Sequence, residues 1–489
     1  MKDLSHLTSW DSKWQGLKVL VTGLGVAGFS CADTLLELGA KVTVFDANAL
    51  KNEKTSDRAQ TLKIIGGVLL TDEKQTKLAI SHSEFDLIVT SPGWPPHHEL
   101  FQEAQQQGIP IWGDVELAWR VRERQGKKTA QWLIITGTNG KTTTTGMLES
   151  ILQHAGLKAI AAGNIGTPIL DAIREPVEYD VFACELSSFQ LHWSQSISAE
   201  AAVVLNIAPD HIDWHGSQEE YALAKAKAYH QVKIACVYNV EDPVTRQMVE
   251  NADVQEGARA IGFTKGSPAV GMLGVVGDVL CDRAFLKERR TSALELAKFE
   301  DLGKPLAPHT VTNALAAAAL ARAIDVPPAA VQAGLHNYRA GGHRMEHVAT
   351  VNGIDWVNDS KATNPHAAAA SLAAFDNIIW VAGGLPKGAQ YQELISSFKN
   401  RLKAVILIGK DKTPLQLALQ KEAPELPVYD TKSSERQDIM PEVIELAQKV
   451  AQSGDTVLLA PAAASMDQFE SYEDRGNSFV QAIAHIKGE

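Results

Sequence analysis

Trp132-Leu-Ile-Ile-Thr136-Gly137-Thr138-Asn139-Gly140-Lys141-Thr142-Thr143-Thr-Thr145 is the stretch on which the reading of this chain turns. The apolar run at 132–135 predicts a buried strand. Apolar residues at Met147, Leu148, Ile151 and Leu152 predict a helix that opens at Lys141. A strand, a glycine turn and a helix start together make an anion cradle. Backbone N–H groups close on the anion, the helix N-terminus adds its dipole, and Lys141 adds a full charge. Thr142 offers a hydroxyl to Mg²⁺. The usual phosphate-loop spacing would place a glycine where this chain has Ile135, so the turn is a variant of that loop. The stretch reads as a nucleotide site.

Composition sets the frame. A chain of 489 residues predicts two large domains or three smaller ones. With 46 Lys+Arg against 58 Asp+Glu the net charge is −12, without a long run of either sign, which argues against a nucleic-acid partner. Cys31, Cys184, Cys236 and Cys281 are far apart and predict reduced, buried thiols. The first residues lack the apolar core of a signal peptide, and no apolar run reaches the roughly 20 residues that span a bilayer. A soluble, cytoplasmic protein without membrane insertion is expected.

Upstream, Lys18-Val-Leu-Val-Thr22 predicts a strand, and Gly23-Leu-Gly25-Val26-Ala27-Gly28 opens a helix. A second strand, Lys41-Val-Thr-Val-Phe45, runs into Asp46. This is a dinucleotide fingerprint by pattern, and it leaves open which diphosphate nucleotide is bound. A strand at 85–90 leads into Ser91-Pro92-Gly93, either a plain turn or a loop on the same ligand. Residues 1–125 read as a Rossmann-like domain.

Residues 126–341 read as a central ATPase-like domain with a mixed sheet. Gly163-Asn164-Ile-Gly166 is a turn, and Glu185 ends the strand at 179–185, as a surface residue or as a Mg²⁺ ligand beside the phosphate loop. Pro209-Asp210-His211-Ile-Asp213 follows another strand, its histidine unliganded or a metal ligand. Residues 217–229 predict a helix on which Lys225 and Lys227 read, by spacing alone, as solvated. A buried Ala-rich helix is expected over 311–324, with Asn313 near its start.

After Gly341-Gly342-His343-Arg344, a double glycine that suggests a hinge, strands recur at 355–358, 378–382, 404–408 and 456–460. They predict a second Rossmann-like, parallel sheet over 342–489. The fold class is thus α/β in three domains. Asp359, Lys361, Thr363, Lys387 and Ser465 follow predicted strand ends, as ordinary loop polarity or as the rim of a small anion site.

Seven ordered blocks resemble the Mur ligase family of cell-wall synthesis along essentially the whole chain. They are Thr136-Gly-Thr-Asn-Gly-Lys-Thr142, Gly163-Asn-Ile-Gly166, Glu185-Leu-Ser-Ser-Phe-Gln190, Asp210-His211, His343-Arg344, Asp359-Ser-Lys-Ala-Thr-Asn364 and Ser465-Met-Asp-Gln-Phe469. The Lys361-Ala-Thr363 block sides with the member that adds D-glutamate. The resemblance implies ATP-dependent ligation of D-glutamate to UDP-N-acetylmuramoyl-L-alanine through an acyl phosphate, by a monomer using ATP and two Mg²⁺ ions. It implies that Gly25, Val26, Ala27, Asp46, Ser91 and Gly93 hold the UDP portion. Gly137, Thr138, Asn139, Gly140, Lys141, Thr142, Thr143, Asn313, Arg344 and Asp359 would hold ATP. Thr142 with Glu185 would bind one ion, and His211 with a carbamylated Lys225 the second. Asn164 would touch phosphate or substrate. Lys361, Thr363, Lys387, Ser465 and Tyr472 would hold D-glutamate. Ala27, Ala47, Thr310 and Tyr472 depart from residues common in relatives. A dehydrogenase would leave the phosphate loop idle. A folylpolyglutamate synthase would lack the N-terminal domain, and a non-catalytic regulator would have no use for Glu185, His211 and Lys225 together.

Overall fold

The computed structural model describes residues 3–51, 53–303, 306–339 and 341–487. Its strands fall into three sheets. In the first, β1 (Lys18–Thr22), β2 (Lys41–Phe45), β3 (Val68–Leu70), β4 (Leu87–Thr90) and β5 (Ile111–Gly113) pair in the order β3-β2-β1-β4-β5, all parallel. Val19, Leu20 and Val21 of β1 are fully buried, as a central parallel strand covered on both faces requires. The strand order reverses between β1 and β4, so the turn after β1 and the loop after β4 open side by side.

The second sheet holds β6 (Gln131–Thr136), β7 (Ala159–Gly163), β8 (Val181–Glu185), β9 (Ala201–Val204), β10 (Ala235–Asn239), β11 (Arg259–Phe263), β12 (Met272–Val276), β13 (Val279–Asp282) and β14 (Leu294–Lys298). The order is β14-β13-β12-β11-β10-β9-β6-β8-β7. It is parallel except at the β12-β13-β14 end, so the expected mixed sheet is present. Trp119 meets Trp132 edge to face at 5.1 Å, and Ser30 Oγ donates to Asp171 at 2.5 Å. Such contacts join the first two sheets, with Thr312–Tyr338, into one compact unit.

The second compact unit holds the chain from Arg339 onward, with Leu302–Val311. Here β15 (Glu346–Val351), β16 (Ile354–Asn358), β17 (Ile378–Gly383), β18 (Leu402–Ile408), β19 (Val428–Asp430) and β20 (Thr456–Leu459) lie in the order β15-β16-β20-β17-β18-β19. The expectation of a wholly parallel sheet is corrected: β15 runs antiparallel to β16 as an edge hairpin. Its two-residue turn is Asn352-Gly353, at φ +54° and +76°. Two successive left-handed residues make the turn whose twist matches that of the strands they join. His343 belongs to this unit: its N–H donates to Glu346 Oε2 at 2.7 Å and its ring meets Asn358 Nδ2 at 2.8 Å. All four cysteines are free and buried. Among the described residues no helix is long and apolar enough to cross a membrane.

Candidate functional site

Strands β9, β6, β8 and β7 are neighbours, so their C-terminal ends deliver Asn206, the Gly137–Gly140 turn, Glu185 and Asn164 to one rim. The turn itself depends on its glycines. Gly140 sits at φ +85°, and a Cβ there would lie 2.4 Å from Asn313 Oδ1. Asn206 clasps the turn from the next strand: its Oδ1 accepts from Asn139 N–H at 2.9 Å, and its Nδ2 donates to Asn139 O at 3.1 Å. Thr138 Oγ1 is 2.9 Å from Tyr221 OH. Helix Lys141–His154 then begins, with Thr142 and Thr143 in its first turn. Lys141 Nζ donates to Gly137 O and Thr138 O at 2.9 and 3.0 Å, which folds its charge over the turn.

Glu185 is 1% exposed. Its Oε1 accepts from Asn164 Nδ2 at 2.9 Å, while Oε2 is buried with no hydrogen-bond partner among the described residues. A buried carboxylate oxygen left bare is costly, and a cation is the partner that suits it. Lys225 corrects the reading from spacing: it is 2% exposed, not solvated. Helix Gln218–Ala226 sets Tyr221 and Lys225 four residues apart on one face, turned toward the phosphate turn. Lys225 Nζ donates to Gly137 O at 2.9 Å and lies 3.4 Å from Thr136 Oγ1. Burial, and then the Lys141 charge, hold its amine well below the usual lysine range. His211 adopts φ +54°, with Nε2 3.6 Å from Asp210 Oδ2 and its ring edge-on to Phe189 at 4.7 Å.

The N-terminal fingerprint opens on a cleft of about 560 Å³ lined by Gly25, Val26, Ala27, Ser91 and Gly93. Trp94, in the loop that follows Gly93, and His98 also line it, and sequence reasoning passed over His98. Asp46 is not in the lining. Its carboxylate accepts the N–H groups of Leu24 and Asn48, each at 2.8 Å, and so holds the glycine turn open. Trp214 Nε1 lies 3.4 Å from Gly93 O, which ties the segment carrying His211 to the cleft loop.

In the C-terminal unit, β16, β20 and β17 are adjacent and parallel, so the loops bearing Asp359–Thr363, Ser465 and Lys387 share a rim. Ala462 N–H donates to Ala362 O at 2.9 Å, and Leu385 N–H to Ala464 O at 2.8 Å, which laces the three loops together. Buried Arg475 donates to Ser360 Oγ, Ser360 O and Ala463 O at 2.9, 2.8 and 3.1 Å. Lys361 Nζ sits 3.6 Å from the Tyr472 ring centre, a cation held over an aromatic face. Asp359 accepts from Ser371 Oγ, and burial pushes its carboxyl up to about 6 against the opposing effect of that bond.

Three domain families match the chain: the Mur ligase MurD-like N-terminal domain at residues 17–113, the Mur ligase middle domain at 135–321, and the Mur ligase glutamate ligase domain at 343–463. A curated relative from Streptomyces avermitilis, named UDP-N-acetylmuramoylalanine--D-glutamate ligase, is 50% identical over 472 residues, covering 96% of this chain and 99% of the relative. A relative of the same name from Thermobifida fusca is 48% identical over 476 residues, 97% and 99% of the two chains. Among solved structures, MurF ligase from Thermotoga maritima in complex with ADP aligns over 100% of both chains at 16% identity and a TM-score of 0.55. A pseudomurein peptide ligase type C from Methanothermus fervidus aligns over 96% of this chain and 100% of its own, at 18% and 0.56. At such identities the structural likeness speaks for the fold alone.

Proposed function

This chain belongs to the Mur ligase family, and from that membership we infer that it is an ATP-dependent amide-forming ligase. It joins D-glutamate to the alanine carboxylate of UDP-N-acetylmuramoyl-L-alanine during peptidoglycan precursor synthesis. The observation that carries this reading is the near full-length identity to curated D-glutamate ligases. Our assignment gives residues 1–125 the UDP portion, 126–341 the ATP and metal chemistry, and 342–489 the D-glutamate, in a cytoplasmic monomer.

Mg²⁺ suits the first part of the site. The bare Oε2 of Glu185 and the Thr142 hydroxyl are hard oxygen donors beside the phosphate turn. Lys225 as an amine gives a second ion no anionic oxygen, the donor that Mg²⁺ prefers. Its depressed basicity favours the neutral amine that reacts with CO₂. The nitrogen lone pair then forms an N–C bond, a proton leaves, and a carbamate with two oxygens results. So modified, Lys225 with His211 would complete a second ion site. When bound, the ions neutralise phosphate charge during transfer.

The chemistry follows from what the residues can do. A carboxylate is a poor acyl donor, so the alanine carboxylate first attacks the γ-phosphorus of ATP; the new O–P bond gives an acyl phosphate as ADP leaves. Lys141 and the N–H groups of the turn stabilise charge that spreads over the transferring oxygens. Asn164, held by Glu185, orients the carboxylate or phosphate. Lys361, Thr363, Lys387, Ser465 and Tyr472 hold D-glutamate so that its neutral amine attacks the acyl carbon. The resulting tetrahedral intermediate collapses to the amide, phosphate leaves and the amine proton is lost. Asn313, Arg344 and Asp359 bind the rest of ATP. Gly25, Val26, Ala27, Asp46, Ser91 and Gly93 receive the UDP, and Asp46 also shapes the glycine turn.

Phosphate release with UDP-N-acetylmuramoyl-L-alanine, ATP and Mg²⁺ tests the reading, with D-glutamate, L-glutamate, meso-diaminopimelate or no amino acid as acceptor. Release that depends on D-glutamate alone is expected. Release only with another acceptor would move the enzyme to a sibling activity, and no release with any would overturn the assignment.

A further inference from the structure

We propose that Asp114 is a positioning residue for the metal-binding end of the phosphate site, acting through Gln190. The proposal rests on the assignment of Glu185 to a metal ion. After Glu185 the chain turns through Leu186 into Ser187, the cap of the short helix Ser188–His192. Backbone contacts anchor the start of this turn: Leu186 N–H donates to Ile135 O at 2.9 Å, and Thr136 Oγ1 donates to Leu186 O at 2.7 Å. Its far side is clamped by the Gln190 side chain, whose Oε1 accepts from Ser187 N–H at 3.1 Å and from Ser187 Oγ at 3.2 Å.

An amide can do this in one orientation only. Turned over, its NH₂ would face the Ser187 N–H, donor against donor. Gln190 is 3% exposed, so solvent does not choose between the two orientations. Asp114 does: its Oδ2 accepts from Gln190 Nε2 at 3.0 Å. An ionised carboxylate can only accept, and it therefore fixes the amide with Oε1 toward Ser187. Asp114 is the first residue of helix Asp114–Val121, directly after β5. Burial pushes its carboxyl up to about 6, a cost that an acceptor in this place repays with orientation. Gly113 pairs with Thr90, the residue before Ser91, so one carboxylate links the strand pair that ends in the nucleotide-sugar cleft to the turn behind Glu185. The two halves of this link are 76 residues apart in sequence.

The test is a Mg²⁺ titration of D-glutamate-dependent ADP release by the full chain, with melting temperatures, for the wild type, D114A, D114N, Q190M and D114A/Q190M. D114A is expected to need roughly 10-fold more Mg²⁺ for half its maximal rate, the usual scale for losing an outer partner of a metal ligand. D114N keeps an acceptor for Nε2 and is expected to respond within about threefold of the wild type. Q190M fills the same space without the clamp and should match D114A, giving the readout even if D114A folds poorly. The double variant should be no worse than either single one. An unchanged Mg²⁺ response in D114A and Q190M, whatever their melting temperatures, would overturn the proposal, as would additive effects. A wild type without Mg²⁺-dependent ADP release would instead sink the functional assignment, and this proposal with it.

Discussion

Replacing Gly140 by alanine probes the phosphate turn where its geometry is tightest. The left-handed conformation at φ +85° costs a residue with a side chain about 1–2 kcal/mol. The new Cβ would also lie 2.4 Å from Asn313 Oδ1, far inside contact distance. Asn313 is 4% exposed on helix Pro308–Ala323, so it has little room to withdraw, and overpacking of this kind costs roughly 1–3 kcal/mol more. The sum is about 2–5 kcal/mol, or about 4–10 °C in melting temperature for a unit this large. Asn313→Ala removes the obstructing oxygen but not the backbone strain. In that background Gly140→Ala should cost only its first part, leaving a coupling of about 1–3 kcal/mol in a calorimetric double-mutant cycle. ADP affinity, read by titration, should fall with Gly140→Ala in both backgrounds, because the strain disturbs the N–H cradle itself. A coupling below about 0.5 kcal/mol would refute the argument, since the clash would then not be what makes glycine necessary.

Lys141→Ala should lower kcat about 10²–10³-fold at saturating ATP, since it removes a charge that acts on the transferring phosphoryl group; single-turnover rates check this. Trp94→Ala should raise KM for the UDP substrate and leave KM for D-glutamate unchanged, because Trp94 lines the N-terminal cleft. Asp359 sets a pH dependence in the C-terminal unit. The unfolded carboxyl titrates near pH 3.9 and the folded one at about 6, so between them the folded state holds the extra proton. Its contribution is fully present below about pH 4 and is lost as pH rises through about 6, a change of about 3 kcal/mol. Asp359→Asn should flatten that slope in pH-dependent unfolding, and an unaltered slope would contradict it.

Long apolar runs that end in glycine turns were legible as strands, because a doubly wound sheet buries both faces and leaves its chemistry at the strand ends. Lys18–Thr22 and Gln131–Thr136 are the clear cases, while the small-residue strand Ala159–Gly163 was not legible. The edge strand Glu346–Val351 was missed although Asn352-Gly353 announces its hairpin, because this half-exposed strand carries no continuous apolar run. Lys225 was read as solvated because helical spacing reports which residues share a face, not what that face meets. Asp46 was legible as the fingerprint acid, but its bonds to the backbone N–H groups of Leu24 and Asn48 were not, because they exist only once the turn has folded. Gln190 is legible as the end of a Ser187-x-x-Gln190 capping box, but nothing local announces Asp114 as its partner. Their partnership exists only once two sheets have packed.

The four thiols give the larger unit a chemical clock. Cys31, Cys184, Cys236 and Cys281 all lie in that unit, and burial pushes every one of their thiols up, so the reactive thiolate is scarce in the folded chain. Alkylating reagents should leave the native enzyme unlabelled and mark the first two sheets only as they open. The C-terminal unit has no cysteine to mark, so a pulse of reagent during slow heating reports the melting of one unit against the silence of the other.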